Sequence, residues 1–217
     1  MSKEEISKAA IHLFLEKGYS HVTIQYICDE IKITKPTFYN YISSKEELIL
    51  DLYDVTISSL VSNTYQLVDV DTHYEQLLVI FSTLIRDTKK YGYDLFSQMF
   101  IANLKENYHS FDMRDNLTTL CILIIKKAQD KKEILNTSSP EILYLAIAHM
   151  FTGFEALWCI NKGIEDFENN FYQSLNSILL VSDELKDVYK NYIEKTFNLT
   201  VNTYLYSIIE NHILKVI

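Results

Sequence analysis

Between residues 34 and 45 the sequence collects side chains able to read or hold a polyanion. Thr34 can cap a short helix in which Ile33, Phe38, Tyr41 and Ile42 point toward a core, leaving Lys35, Thr37, Tyr39 and Asn40 facing out. Lys35 can meet a phosphate or a guanine edge, Thr37 can hydrogen-bond a base or offer its methyl group to thymine, and Asn40 can pair with adenine. Tyr39 offers a phenol to a phosphate, and Lys45, with the free amides at the start of the next helix, makes a further phosphate site. The net charge of −9 does not oppose this. Residues 1–47 hold six lysines against seven acids, so the acidity belongs to the rest of the chain and the local pattern decides.

Such a surface needs a scaffold. With only four glycines and two prolines in 217 residues, the punctuation that strands require is nearly absent, and an all-α chain is predicted. Ser2-Lys3-Glu4-Glu5 has the form of a capping box, followed by Ile6, Ala10, Leu13 and Phe14 on one stripe, with Gly18 as a left-handed end. Thr23 can cap a second helix with Ile24, Ile27, Cys28 and Ile31 inward. Pro36 sits in the first turn of the third, where a missing amide hydrogen costs little. Ser44-Lys45-Glu46-Glu47 repeats the capping-box pattern before Leu48, Leu52, Val55 and Leu60. Two short helices joined by three or four residues make a helix-turn-helix, the second entering the major groove and the first bracing it.

The runs Ala9 to Tyr19, Thr23 to Cys28, Ile33 to Ile42 and Ser44 to Leu48 together resemble the N-terminal domain of the TetR family of transcriptional regulators. The resemblance implies that Thr23 and Gln25 open the bracing helix toward DNA, that Lys35, Pro36, Thr37, Tyr39 and Tyr41 line the recognition surface with Thr34 at its cap, and that Lys45 holds the backbone. Three positions depart from the family pattern. Lys32 stands where glycine is usual, so it must take a left-handed conformation at some cost or the turn is altered. Cys28 replaces the usual alanine, a size-compatible exchange. Arginine is missing from the domain, the only two being Arg86 and Arg114, which points to an operator rich in A and T, read through Lys35, Gln25, Asn40 and methyl contacts.

Residues 1–47 therefore read as the DNA-binding domain and 48–217 as a larger helical domain for ligand binding and dimerisation. Helices are predicted near 45–67, 72–91, 93–106, 111–131, 139–162, 165–181 and 183–214, the last 35 or so residues resembling nothing in the family. The 139–162 helix is apolar nearly all round and should be buried on two sides. Met150, Gly153, Phe154 and Leu157 are its candidate homodimer contacts, and Glu155 is expected to find a partner across that interface. His149, Thr152 and Glu155 interrupt the run, which favours a soluble helix over a membrane span. The N-terminus lacks a secretory pattern, so a cytoplasmic location is expected.

Aromatic and sulfur side chains recur along the middle helices, and Phe96, Met99, Phe100, Phe111, Cys121 and His149 are the candidate lining of a cavity for a small apolar or aromatic effector. Plain core packing is the competing reading for each of them. His149 has a further reading as a haem ligand with His73 or His109, although no cofactor or metal is called for by the spacing. Cys28, Cys121 and Cys159 suit reduced core thiols. These features describe a ligand-responsive regulator, most simply a repressor, on a palindromic operator. The rivals are a regulator or activator without a small-molecule ligand and an all-helical enzyme, the latter opposed by the absence of a paired nucleophile or a glycine-rich phosphate loop.

Overall fold

The computed structural model describes residues 2–50, 52, 57, 60, 70–186 and 188. Helix α1 spans Lys3–Lys17; Ser2 and Glu5 close the expected capping box, and Ile6, Ala10, Leu13 and Phe14 are buried. Gly18 ends the helix at φ 85°, ψ 139°, a positive φ as expected but in an extended conformation outside the left-handed helical well. A single 3₁₀ turn, Tyr19–His21, leads to α2, Ile24–Glu30, capped by Thr23. Of the two alternatives for Lys32, the left-handed conformation is the one adopted, at φ 57°. Helix α3, Lys35–Tyr39, is capped by Thr34 and carries Pro36 in its first turn. Phe38, at 0% exposure, pins this short helix to the domain core beside Ile27, Cys28 and Ile42.

Helix α4 is described over Glu47–Leu50. Ser44 Oγ accepts the Glu47 amide at 3.2 Å, but the Glu47 carboxylate turns to the amide and hydroxyl of Ser43, so only half of the second capping box forms. Leu52, Ile57 and Leu60 continue in helical conformation and are buried. Val55 and most of the helix expected to residue 67 lie outside the described residues.

Helix α5, His73–Lys105, opens with a Thr72–Glu75 capping box and breaks its helical backbone at Gly92, φ 78°, ψ 157°. The two helices predicted at 72–91 and 93–106 are the two arms of this bend. Helices α6, Asp115–Asp130, α7, Pro140–Ile160, and α8, Phe167–Leu179, complete the larger domain, with one antiparallel bridge between Ile134 and Val181. No strand occurs among the described residues. The helix expected over 183–214 begins as a 3₁₀ turn at Asp183–Leu185, and beyond Lys186 only Val188 is described.

The larger core is aromatic. Phe81, Phe151 and Phe171 meet with ring centroids 5.0–5.7 Å apart, joining α5, α7 and α8. Each such ring, removed from water, contributes roughly 1.5–3 kcal/mol. Helix α7 is long and apolar enough to cross a membrane by length and composition, yet here its Leu143, Tyr144, Ile147, Phe151 and Trp158 face the bundle. Glu155 is also on this inner face, fully buried, and accepts the Thr88 hydroxyl at 2.7 Å. That corrects the expectation of a partner across an outer interface: the helical phase turns Glu155 inward, with Phe151 and Trp158. The three cysteines are buried free thiols, and burial pushes Cys121 up to about 12 and Cys159 to about 11, which keeps them protonated.

Candidate nucleic-acid interface

The face built by α2 and α3 begins with its caps. Thr23 Oγ1 accepts the Tyr26 amide at 3.1 Å, and Thr34 Oγ1 accepts the Thr37 amide at 3.3 Å while its hydroxyl meets that of Thr37 at 2.8 Å. These bonds fill two of the amides that a helix start leaves open and fix where each short helix begins. The Ile33 amide reaches back to the Cys28 carbonyl at 2.9 Å, tying the two helices across the left-handed Lys32. With Phe38 buried beneath, Lys35, Pro36, Tyr39 and Asn40 stand exposed together and Thr37 is half-buried.

Tyr41 differs from its periodicity. It was expected inward, yet it is 42% exposed, because α3 ends at Tyr39 and the phase of a continuing helix no longer applies beyond Asn40. It thereby joins Tyr39 among the exposed side chains. Gln25 is exposed and donates its amide to Asp29 at 2.7 Å, which leaves its carbonyl oxygen as the free end. Tyr26, 41% exposed on α2, is a surface phenol that the apolar periodicity passed over. Its only signal in the sequence was an aromatic residue off the buried stripe of α2.

Lys45 is placed otherwise than a free phosphate ligand. Its ammonium donates to the Tyr19 carbonyl and lies 3.7 Å from the Tyr19 ring centroid and 5.3 Å from that of Phe14. Burial lowers its pKa, with Glu46 and Asp94 pulling the other way. The Tyr19 amide in turn donates to Asp94 at 3.3 Å, two residues past the bend in α5. Through its amide and its carbonyl, Tyr19 thus joins the start of α4, the turn before α2 and the larger domain. A second tie is Glu47, whose carboxylate takes the Lys3 ammonium at 2.7 Å. Burial raises the Glu47 pKa, but the bonds from Lys3 and Ser43 outweigh it and hold the group at about 2.

In the larger domain Phe111 and Cys121 line a cavity of about 50 Å³ together with Phe81, Leu117, Tyr144 and Phe151. Phe100 stacks on Phe111 at 4.3 Å, and Phe96 and Met99 are buried in α5 without reaching the cavity wall. His149 is not brought to it either and stands exposed on α7. The two other histidines considered with it are engaged by acids, His73 by Glu133 at 3.1 Å and His109 by Asp112 at 2.7 Å. On the outer side of α7, Gly153 and Leu157 are exposed beside Ile142, Leu145 and Ile160, while Met150 and Phe154 are half-buried.

Comparison with known proteins gives this geometry a context. Residues 6–52 match the model of "Bacterial regulatory proteins, tetR family". An uncharacterized HTH-type transcriptional regulator of Bacillus subtilis, YuxN, is 34% identical over 85 residues, 37% of this chain and 29% of that protein. The HTH-type transcriptional regulator TcmR of Streptomyces glaucescens is 33% identical over 49 residues, 23% of this chain and 22% of that one. The match thus spans less than a third of either relative. Among solved structures, FadR of Thermus thermophilus, a TetR family transcriptional repressor in complex with lauroyl-CoA, superposes with a TM-score of 0.65 at 22% identity, covering 82% of this chain and 93% of that one.

Proposed function

The chain belongs to the tetR family of bacterial regulatory proteins, and from that premise we propose that it is a cytoplasmic, ligand-responsive transcriptional repressor that holds a palindromic operator as a homodimer. The observation that carries this reading is the exposed group Lys35, Pro36, Tyr39, Asn40 and Tyr41 on a short helix pinned by Phe38 and braced by α2. In this reading residues 1–47 bind DNA and 48–217 sense and dimerise. Lys35 and Asn40 contact bases, Thr37 presents its methyl, and Tyr39 and Tyr41 take phosphates. Thr23 and Gln25 open α2 toward DNA, Gln25 adding to the base reading, and Thr34 sets the start of the recognition helix. A Lys45 phosphate contact requires its ammonium to leave Tyr19. Two copies joined through the outer face of α7 set the recognition helices about 34–36 Å apart, one turn of DNA.

Effector binding belongs to the cavity walled by Phe111 and Cys121, and its apolar lining suits an apolar or aromatic compound. At about 50 Å³ it is far smaller than the roughly 300–1,000 Å³ of ordinary ligand sites, so an effector must displace side chains of its wall. The same small volume favours a second reading, a regulator without a small-molecule effector. Thermal shift against a compound library, repeated on Cys121→Phe to fill the cavity, separates the two, since only a core sensor gains stability with a compound that the filled cavity no longer gives.

DNA selected from random duplexes by the purified protein tests the main reading. An inverted repeat should emerge, and Lys35→Ala should lose about 1–3 kcal/mol of affinity for it and relax one base position. Failure to enrich any sequence, or equal affinity in the variant, would refute it.

A further inference from the structure

A second, larger concavity lies away from both the α2–α3 face and the core cavity. It has a volume of about 650 Å³ and is walled by α1, α4 and the end of the first arm of α5. Its size falls within the range of roughly 300–1,000 Å³ typical of small-molecule sites. Its apolar lining comprises Ile11 and Leu15 on α1 and Tyr91 on α5, with the buried Leu48 and Leu52 of and beyond α4 as its floor. Leu15 is 42% exposed, so part of that apolar surface is open to water.

The charged groups around it are mainly cationic, in a chain whose net charge is −9. Lys8 on α1 and Lys90 on α5 are exposed and carry no ion pair among the described residues. Lys3 is already engaged by Glu47 at 2.7 Å, and Glu4, the one acid in the lining among the described residues, lies in the field of Lys3 and Lys8. An apolar trough with two unpaired lysines in its lining is complementary to a molecule with an apolar body and one anionic head. The lysine stems can lie along the body while their charges meet the head. A neutral apolar molecule would leave both ammonium groups unanswered, and a cationic one would be repelled.

We propose that the cleft between α1, α4 and α5 is a binding site for anionic amphiphiles, with Ile11, Leu15, Leu48, Leu52 and Tyr91 holding the apolar body and Lys8 and Lys90 the head. The occupant touches α1 of the DNA-binding domain and α5 of the larger domain at once. This site is independent of the operator reading and of the core cavity, because among the described residues neither contributes a residue to it.

Isothermal titration of the full chain with laurate, without DNA, tests the proposal. Laurate should bind, dodecanol should bind more weakly, and dodecyltrimethylammonium should not compete. Lys8→Glu with Lys90→Glu should weaken laurate about tenfold or more, while Lys8→Arg with Lys90→Arg should retain it. Both pairs sit on exposed positions, and an unchanged helical circular dichroism spectrum checks their folding. No laurate binding, or equal binding by the charge-reversed pair, would overturn the site. Loss of operator recognition would leave this result untouched, so the two proposals fail separately.

Discussion

Glu47 shows how one side chain ties the DNA-binding domain together. It bonds Lys3 from α1 and both polar groups of Ser43, and its carboxyl is held near 2 against an ordinary 4.5. Because the folded pKa is depressed, the stabilisation is fully present above about pH 4.5 and drains away as pH falls toward 2. Glu47→Gln should therefore destabilise the chain at neutral pH by about 1 kcal/mol, a figure reduced for the solvent that screens a side chain still 25% exposed. The gap between wild type and variant in urea unfolding should shrink between pH 4.5 and 2. A gap independent of pH would show that the carboxylate charge contributes nothing. Lys45 makes a contrasting point, since its inward position on Tyr19 rests on a residue 26 positions earlier and no local pattern announces it.

Helices and their ends were legible because their determinants are local. Ser2, Thr23 and Thr34 each cap the helix that follows them, and Gly92 divides α5 where two separate helices were predicted. The bend matters because Asp94, just beyond it, receives the Tyr19 amide from the DNA-binding domain. A Cβ at Gly92 would meet no atom within 4 Å, so space is not the obstacle; the positive φ of 78° is. Gly92→Ala should therefore cost about 1–3 kcal/mol from backbone strain, or straighten α5 and release Asp94 from Tyr19. Chemical denaturation measures the first, and faster hydrogen exchange at the Tyr19 amide reports the second. Unchanged stability with unchanged exchange would mean that the bend is not set by this glycine. Orientation about the axis of α7 was not legible, because a helix apolar on nearly every side carries no phase. Glu155 went inward to Thr88, 67 residues away, and His149 outward, as the packing of α5, α6 and α8 around the helix decides.

At the scale of the whole molecule the same α7 poses the question of assembly. Its inner face is committed to the core by Phe151 and Trp158, and its outer side leaves Ile142, Leu145, Leu157 and Ile160 between 36% and 72% exposed in a single chain. Gly153 lies among them with nothing within 4 Å of where a Cβ would stand, which leaves room for a second helix to approach closely. An operator read by one small domain has few base contacts, and pairing two copies doubles them, so dimerisation and DNA affinity should fall together. Leu157→Asp places a carboxylate in the middle of the proposed contact. Burying it unpaired would cost about 3–5 kcal/mol, enough to raise the dimer dissociation constant at least about a hundredfold. The side chain it replaces is 46% exposed in the single chain, so the folded monomer should tolerate the charge and keep its unfolding midpoint apart from any share due to dimerisation. Sedimentation equilibrium should then find a dimer for the wild type and a monomer for the variant, with operator affinity reduced in step. A variant that still dimerises would move the interface off this face. A variant that is monomeric yet binds the full operator as tightly as wild type would separate assembly from DNA recognition.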